Sequence, residues 1–213
     1  MPAAFTQATL PQLCDQLAAH DEALQQIITT YGYPPFWSRT ATFATLIHII
    51  LEQQVSLASA KAAFLKLQQK IGHVTPQAIL QLNDDEMKAC YFSRQKIIYA
   101  RALANAILKN ELHIERLASA TDEEVHQQLK QIKGIGNWTA DVFLMMALHR
   151  CDCFPTGDVA LMNSMREVLQ LPKETSKETL LSIAEKWKPY RTIAAFLLWH
   201  NYIKKRNMQV SFL

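Results

Sequence analysis

Two short stretches of this sequence hold residues whose types and spacing could do chemistry. The first is Lys133-Gly134-Ile135-Gly136-Asn137-Trp138-Thr139, where two of the chain's five glycines lie one residue apart. Glycine loses more backbone freedom on folding than any other residue, so the pair needs a reason. Alternating glycines suit a tight turn with positive φ and leave backbone N–H groups uncovered at the start of a following helix. Those donors and the helix dipole favour an anion such as a phosphate. A plain connection between two helices would use the same residues. The second stretch is Pro155-Thr156-Gly157-Asp158. At a predicted helix start the dipole holds the Asp158 carboxylate ionised as a fixed negative charge, and a simple N-cap would sit at the same place. Trp138, Trp199, Phe36, Trp37 and Tyr190 offer aromatic faces that attract a cation or fill a core.

The elements that must position these groups read as helices throughout. Apolar residues recur at helical spacing, with no sustained alternation that would argue for a sheet, so an all-α fold is expected. Helices are predicted near 10–30, 40–54, 57–71, 76–82, 84–90, 94–109, 122–131, 137–149, 159–169, 177–187 and 190–204. Thr75-Pro76 marks one helix start, and Thr121 with Glu124 and Thr175 with Glu178 have capping-box spacing. Gly32 and Gly72 stand where helix C-caps belong. Ile135, between the paired glycines, should point inward and anchor the turn.

Composition narrows the function classes. The chain has 213 residues, 49% of them hydrophobic and 19% charged, as in an ordinary globular protein. The runs VFLMMAL and IAAFLLW are too short to span a bilayer, and MPAAFTQATL has no basic segment followed by an apolar one. No membrane partner and an intracellular location are expected, in cytoplasm, nucleoid or nucleus according to source. Cys14, Cys90, Cys151 and Cys153 lack the spacing of a disulfide framework or a zinc site and read as free thiols. A net charge of +3 means that any nucleic-acid face must be local.

Taken in order, YPPFWSR, FATLIHIILEQQVSLASAKA, LKQIKGIGNWTAD, CFPTGDVALMNSMREV and EKWKPYRTIAAFLLWHNY resemble the helix-hairpin-helix DNA glycosylase superfamily. Within it the chain is most similar to the 3-methyladenine DNA glycosylase II family, over about residues 30–203. The resemblance implies one catalytic domain over 1–213 with two helical lobes and a DNA-facing cleft between them. The six-helix lobe covers 40–150, with the hairpin motif at 122–149, and the terminal-helix lobe covers 1–39 and 151–213. It implies a monomer that acts on damaged double-stranded DNA in base excision repair.

Site residues are implied by the same resemblance. Asp158 matches the superfamily's essential carboxylate, set beneath a sugar that turns oxocarbenium-like as its N-glycosidic bond breaks. Trp138 and Trp199 match aromatic positions of the base pocket, joined by Phe36, Trp37 and Tyr190, for an alkylated cationic base flipped from the duplex. Gln54 matches the residue that plugs the gap, with Gln53 and Ser56 beside it. Gly134, Ile135, Gly136, Lys133 and Thr139 belong to the DNA-binding turn, and Lys61 and Arg166 are further candidate phosphate contacts. Lys204-Lys205-Arg206 reads as a solvated helix end. A monovalent or divalent cation held by the backbone carbonyls of Lys130, Ile132 and Ile135 is also implied.

Departures from the family limit the chemistry. Bifunctional members carry a lysine where this chain has Trp138, and an indole cannot form a Schiff base, so hydrolysis without lyase activity is expected. The four-cysteine iron-sulfur signature is missing, and no cofactor is expected in catalysis. Lys133 replaces a common proline, while Val142 and Val159 stand near pocket positions where some relatives have tyrosine. A non-catalytic DNA-structure-binding module and a glycosylase for oxidised or mismatched bases are the alternatives.

Overall fold

The computed structural model of the protein describes residues 3–209, so residues 1–2 and 210–213 of the expected terminal lobe lie outside the described residues. Along the chain run α1 (Leu10–Ala18), α2 (Glu22–Tyr31), α3 (Phe43–Glu52), α4 (Leu57–Ile71) and α5 (Pro76–Gln81). They are followed by α6 (Asp84–Ala89), α7 (Arg94–Leu108), α8 (Ile114–Leu117), α9 (Asp122–Lys130) and α10 (Asn137–Met146). After α11 (Val159–Val168) and α12 (Lys177–Ala184) come a 3₁₀ turn at Glu185–Trp187 and α13 (Arg191–Lys205). Among the described residues the only β pairing is an isolated bridge between Ala4 and Arg150. No helix among them is long and apolar enough to cross a membrane.

Helix boundaries are set by local chemistry. Ser56, Thr75, Ser93 and Thr121 each accept a backbone N–H in the first turn of the helix they precede, and Thr121 forms a full capping box with Glu124. Gly32 and Gly72 close α2 and α4 with φ of 76° and 70°. Two expectations need correction, and one helix, α8, was not expected. Residues 10–30 form two helices, because Asp21 interrupts the run and caps α2 through Ala23 N and Leu24 N. The cap before α12 is Ser176, which accepts from Thr179 N, so the helix begins one residue later than Thr175 would set it. The short α8 has too few residues to display a helical period.

The chain divides into two compact units. One is Arg39–Leu148; the other joins Ala3–Ser38 to the described residues from His149 onward. In the first, α3 is buried almost all round and packs on α4, α7 and α10. Arg39 makes a bidentate, buried pair with Glu52 at the last turn of α3, at 2.5 and 3.1 Å. Two buried ions tolerate such a site only when their hydrogen bonds are well made. In the second unit α13 is the central helix, buried from Thr192 to Asn201, with α1, α2 and α11 against it. Asp21 joins this unit together by accepting from Trp187 Nε1 at 2.8 Å and pairing with Lys186 at 2.9 Å.

Candidate active site

The hairpin in Arg39–Leu148 consists of α9, a turn at 131–136 and α10. Val125, Leu129, Ile132 and Ile135 are buried and fasten the turn to the core. His126 Nε2 and Asp141 Oδ1, 3.0 Å apart, tie the two helices together. Gly134 has φ +94°, and a β-carbon there would lie 2.0 Å from Cγ of Tyr99, so its glycine is demanded by backbone conformation and by a ring pressed against the turn. Gly136 differs from expectation. Its φ is −106°, an extended conformation open to any residue, and an added Cβ would meet nothing within 4 Å. Only one of the two glycines therefore serves a positive φ.

Gly136 is the N-cap of α10, and no side chain caps that helix. Gly136 and Asn137 are exposed, and Trp138 is half-buried. Ile135 is buried, and its N–H donates to the Ile132 carbonyl at 3.0 Å. Thr139 is buried, and its hydroxyl accepts from Gln53 Nε2 at 3.0 Å, so its side chain supports the turn from inside. Gln53 also donates to the Gly134 carbonyl at 2.9 Å. Lys133 is exposed beside the turn.

After α3, Gln54 is exposed with φ +58°, a left-handed conformation that costs a non-glycine residue roughly 1 kcal/mol. Ser56 is exposed and acts as the N-cap of α4 through Ser59 N. The Leu51 carbonyl near the end of α3 accepts from Lys96 Nζ at 2.7 Å, and burial pushes the Lys96 ammonium down from its ordinary value.

In the other unit Asp158 is both a cap and something more. Its Oδ1 accepts from Leu161 N at 2.8 Å, which starts α11, and from Trp199 Nε1 at 3.1 Å. The helix that carries the indole is fixed in register by Ser164 Oγ donating to the Leu198 carbonyl at 2.6 Å and by Asn201 Nδ2 donating to Ser164 Oγ at 3.0 Å. Thr192, in the first turn of α13, clasps Cys153 through both backbone groups, which sets the segment leading to Asp158. Val159, directly after the carboxylate, is 71% exposed, whereas Val142 is buried in the first unit.

The remaining aromatic candidates divide. Trp37 and Trp199 are largely buried and meet edge to face at 6.3 Å, with Phe196 against both. Trp37 is thus a core residue backing Trp199. Phe36 is half-buried between Phe5 and His149, and Tyr190 is half-buried at the start of α13. The Arg166 guanidinium is turned onto the Thr175 carbonyl. Lys205 and Arg206 pair with Glu167 at the end of α13.

Sequence alone does not reveal Tyr99 behind Gly134 or the His126–Asp141 tie. Both join residues far apart in the chain, and only the off-stripe position of Tyr99 on α7 hints at a partner elsewhere.

Residues 47–189 match the sequence model described as HhH-GPD superfamily base excision DNA repair protein. DNA-3-methyladenine glycosylase 1 of Schizosaccharomyces pombe is 31% identical over 190 residues, covering 86% of this chain and 83% of that one. DNA-3-methyladenine glycosylase 2 of Escherichia coli is 26% identical over 165 residues, 72% of this chain and 55% of that one. The solved structure of the S. pombe 3-methyladenine DNA glycosylase in complex with abasic DNA superposes with a TM-score of 0.85 at 30% identity, over 93% of this chain and all of that one.

Proposed function

The chain belongs to the HhH-GPD superfamily of base excision DNA repair proteins, and we propose that it is a monofunctional DNA glycosylase that removes alkylated bases from duplex DNA. The observation that carries this reading is the double hydrogen bond to Asp158 Oδ1, from Leu161 N and Trp199 Nε1. A capping aspartate needs the first donor alone. The second comes from a helix 41 residues away in sequence and fixes the carboxylate in direction as well as place.

The chemistry rests on charge. As the bond between C1′ and the base nitrogen breaks, the electron pair leaves with the base and the sugar becomes oxocarbenium-like. A carboxylate already oriented toward the developing positive charge lowers that barrier, because it need not reorganise during the reaction. Water then adds to C1′ and loses a proton, leaving an abasic site. A base alkylated at a ring nitrogen often carries a positive charge and departs as a neutral molecule, so no general acid is required. Extracting it from the stack costs a few kcal/mol, offset in part by aromatic contacts of about 0.5–2 kcal/mol each, for which Trp138 is the half-exposed candidate.

The turn supplies the DNA anchor. Gly136 needs its missing side chain for no internal contact, so its openness fits close approach of a phosphate to the first N–H groups of α10. Lys133 adds charge beside it. The carbonyls of Lys130, Ile132 and Ile135 are neutral oxygen donors at the end of a helix, a set suited to a hard cation. Such an ion would steady the turn and has no step in the hydrolysis. No cofactor enters the proposed reaction, and Cys14, Cys90, Cys151 and Cys153 are buried thiols in this reading.

The test is release of 3-methyladenine and 7-methylguanine from methylated duplex DNA, with borohydride present in a parallel reaction. Free base with no covalent enzyme–DNA adduct is expected, since Trp138 offers no amine. A trapped adduct would establish a lyase, and absence of base release would remove the glycosylase reading.

A further inference from the structure

Gln53 is the first residue beyond α3, and its side chain turns back onto the hairpin. Both amide hydrogens are engaged: Nε2 donates to the Gly134 carbonyl at 2.9 Å and to Thr139 Oγ1 at 3.0 Å. One group therefore grips the turn at Gly134 and the first turn of α10. The end of α3 before Gln53 is also fixed, by the buried Arg39–Glu52 pair and by Lys96 on the Leu51 carbonyl. The two residues after Gln53 are not packed away. Gln54 and Val55 are both exposed, Gln54 with φ +58°, before Ser56 caps α4. A left-handed non-glycine residue at an exposed tip persists only where its surroundings over-determine it.

We propose that Gln53 is a positioning residue that holds the Gln54–Val55 tip at a fixed distance from the phosphate-binding turn, so that seating the turn on the backbone delivers the tip to the gap left by an everted base. This rests on the reading of the turn given under Proposed function and on the resemblance of Gln54 to the residue that plugs the gap. The physical gain is preorganisation. Two contacts borne on one rigid element are made for a single loss of freedom, whereas two independently moving contacts each incur their own. Intact duplex offers the turn its phosphate but offers the tip no gap. Gln53 should therefore matter for DNA with a vacated position and hardly at all for intact DNA.

The experiment compares binding, by fluorescence anisotropy, to an undamaged duplex and to the same duplex carrying one tetrahydrofuran abasic analogue. Two variants remove the donor differently: Gln53→Met keeps the length, and Gln53→Ala removes the side chain. Each should lower the preference for abasic over intact DNA about tenfold while intact-duplex affinity stays within about twofold, the loss expected when a coupling is broken and each single contact survives. Gln54→Ala should weaken abasic binding in the wild-type background and add less than about twofold in the Gln53→Met background. A purely structural role would weaken both duplexes in parallel with thermal stability, and that result would overturn the proposal. So would retention of the wild-type preference, or additive effects of the two substitutions. A wild-type protein with no preference for abasic DNA would instead remove the glycosylase reading, and the coupling with it.

Discussion

Trp199 and Asp158 share one oxygen with the backbone: the indole Nε1 meets Asp158 Oδ1 at 3.1 Å, and Leu161 N meets the same atom at 2.8 Å. The start of α11 and the middle of α13 thus agree on where the carboxylate points, and the Ser164 bonds to Leu198 and Asn201 keep those helices in register.

Replacing Trp199 by Phe keeps an aromatic ring in a largely buried site and deletes the donor. A hydrogen bond to a charged group contributes about 1.5–3 kcal/mol, so single-turnover base release should fall roughly 10- to 100-fold. Abasic-DNA affinity should change by less than about threefold, because the carboxylate's orientation bears on the transition state more than on the product complex. The smaller ring also leaves space, which lowers the melting temperature by a few degrees, so rates are compared well below it. Equal losses of rate and of product affinity would argue that Trp199 only packs.

Asp158→Asn separates the charge from the cap. Asparagine is as good an N-cap as aspartate, and its carbonyl oxygen still accepts from Leu161 N and Trp199 Nε1, so melting should be nearly unchanged. Removing the fixed charge should slow base release by about 10²–10³-fold, the effect of deleting one preorganised electrostatic partner. Asp158→Ala should lose activity and about 1 kcal/mol of stability as well. Wild-type base release by Asp158→Asn would take the carboxylate out of the mechanism.

How much of this was legible in the sequence depends on range. Local chemistry was readable: the caps at Thr75 and Thr121 and the C-caps at Gly32 and Gly72 speak within one helical turn. The break at Asp21 was hidden because Leu17, Leu24 and Ile27 continue a helical apolar spacing across it, while the partners of Asp21, Trp187 and Lys186, lie far along the chain. At the hairpin the glycine pair announced a special turn. Spacing could not tell that Gly134 answers to Tyr99 and to a positive φ while Gly136 answers to nothing inside the protein. Thr139 and Gln53 looked like DNA contacts by position; their mutual hydrogen bond shows that at least one job of each is internal.

That difference between the glycines makes a paired prediction. Gly134→Ala places Cβ 2.0 Å from a Tyr99 ring atom at φ +94°, so it should destabilise the protein by roughly 2 kcal/mol or more. Gly136→Ala has room and an ordinary φ, so stability should hold or rise by about 0.5 kcal/mol through a stiffer unfolded chain. DNA affinity should nonetheless drop severalfold, since a methyl group now stands between the backbone and the phosphate. Calorimetry and binding at one salt concentration measure both. Unchanged affinity of Gly136→Ala would mean that no phosphate sits against that residue.

His48 gives the unit Arg39–Leu148 a pH dependence independent of the site's chemistry. Its ring is buried, stacked on Phe64 at 4.4 Å, and burial pushes it down to about 4, with Arg39 and Lys61 acting in the same direction. Glu52 Oε1 lies 3.7 Å from Nε2 but is already engaged by Arg39. Between about pH 6.5 and 4 the unfolded chain therefore binds a proton that the folded chain refuses. The resulting stability is fully present above pH 6.5 and is lost as the pH falls toward 4, by roughly 2 kcal/mol at pH 4.5. Melting the wild type and His48→Gln at pH 7 and pH 4.5 isolates this contribution, because carboxylates elsewhere titrate alike in both proteins. The acid-induced drop in Tm should be smaller in the variant by several degrees. An equal drop in both would mean that the imidazole accepts its proton inside the folded protein, with Glu52 drawn from Arg39 to receive it.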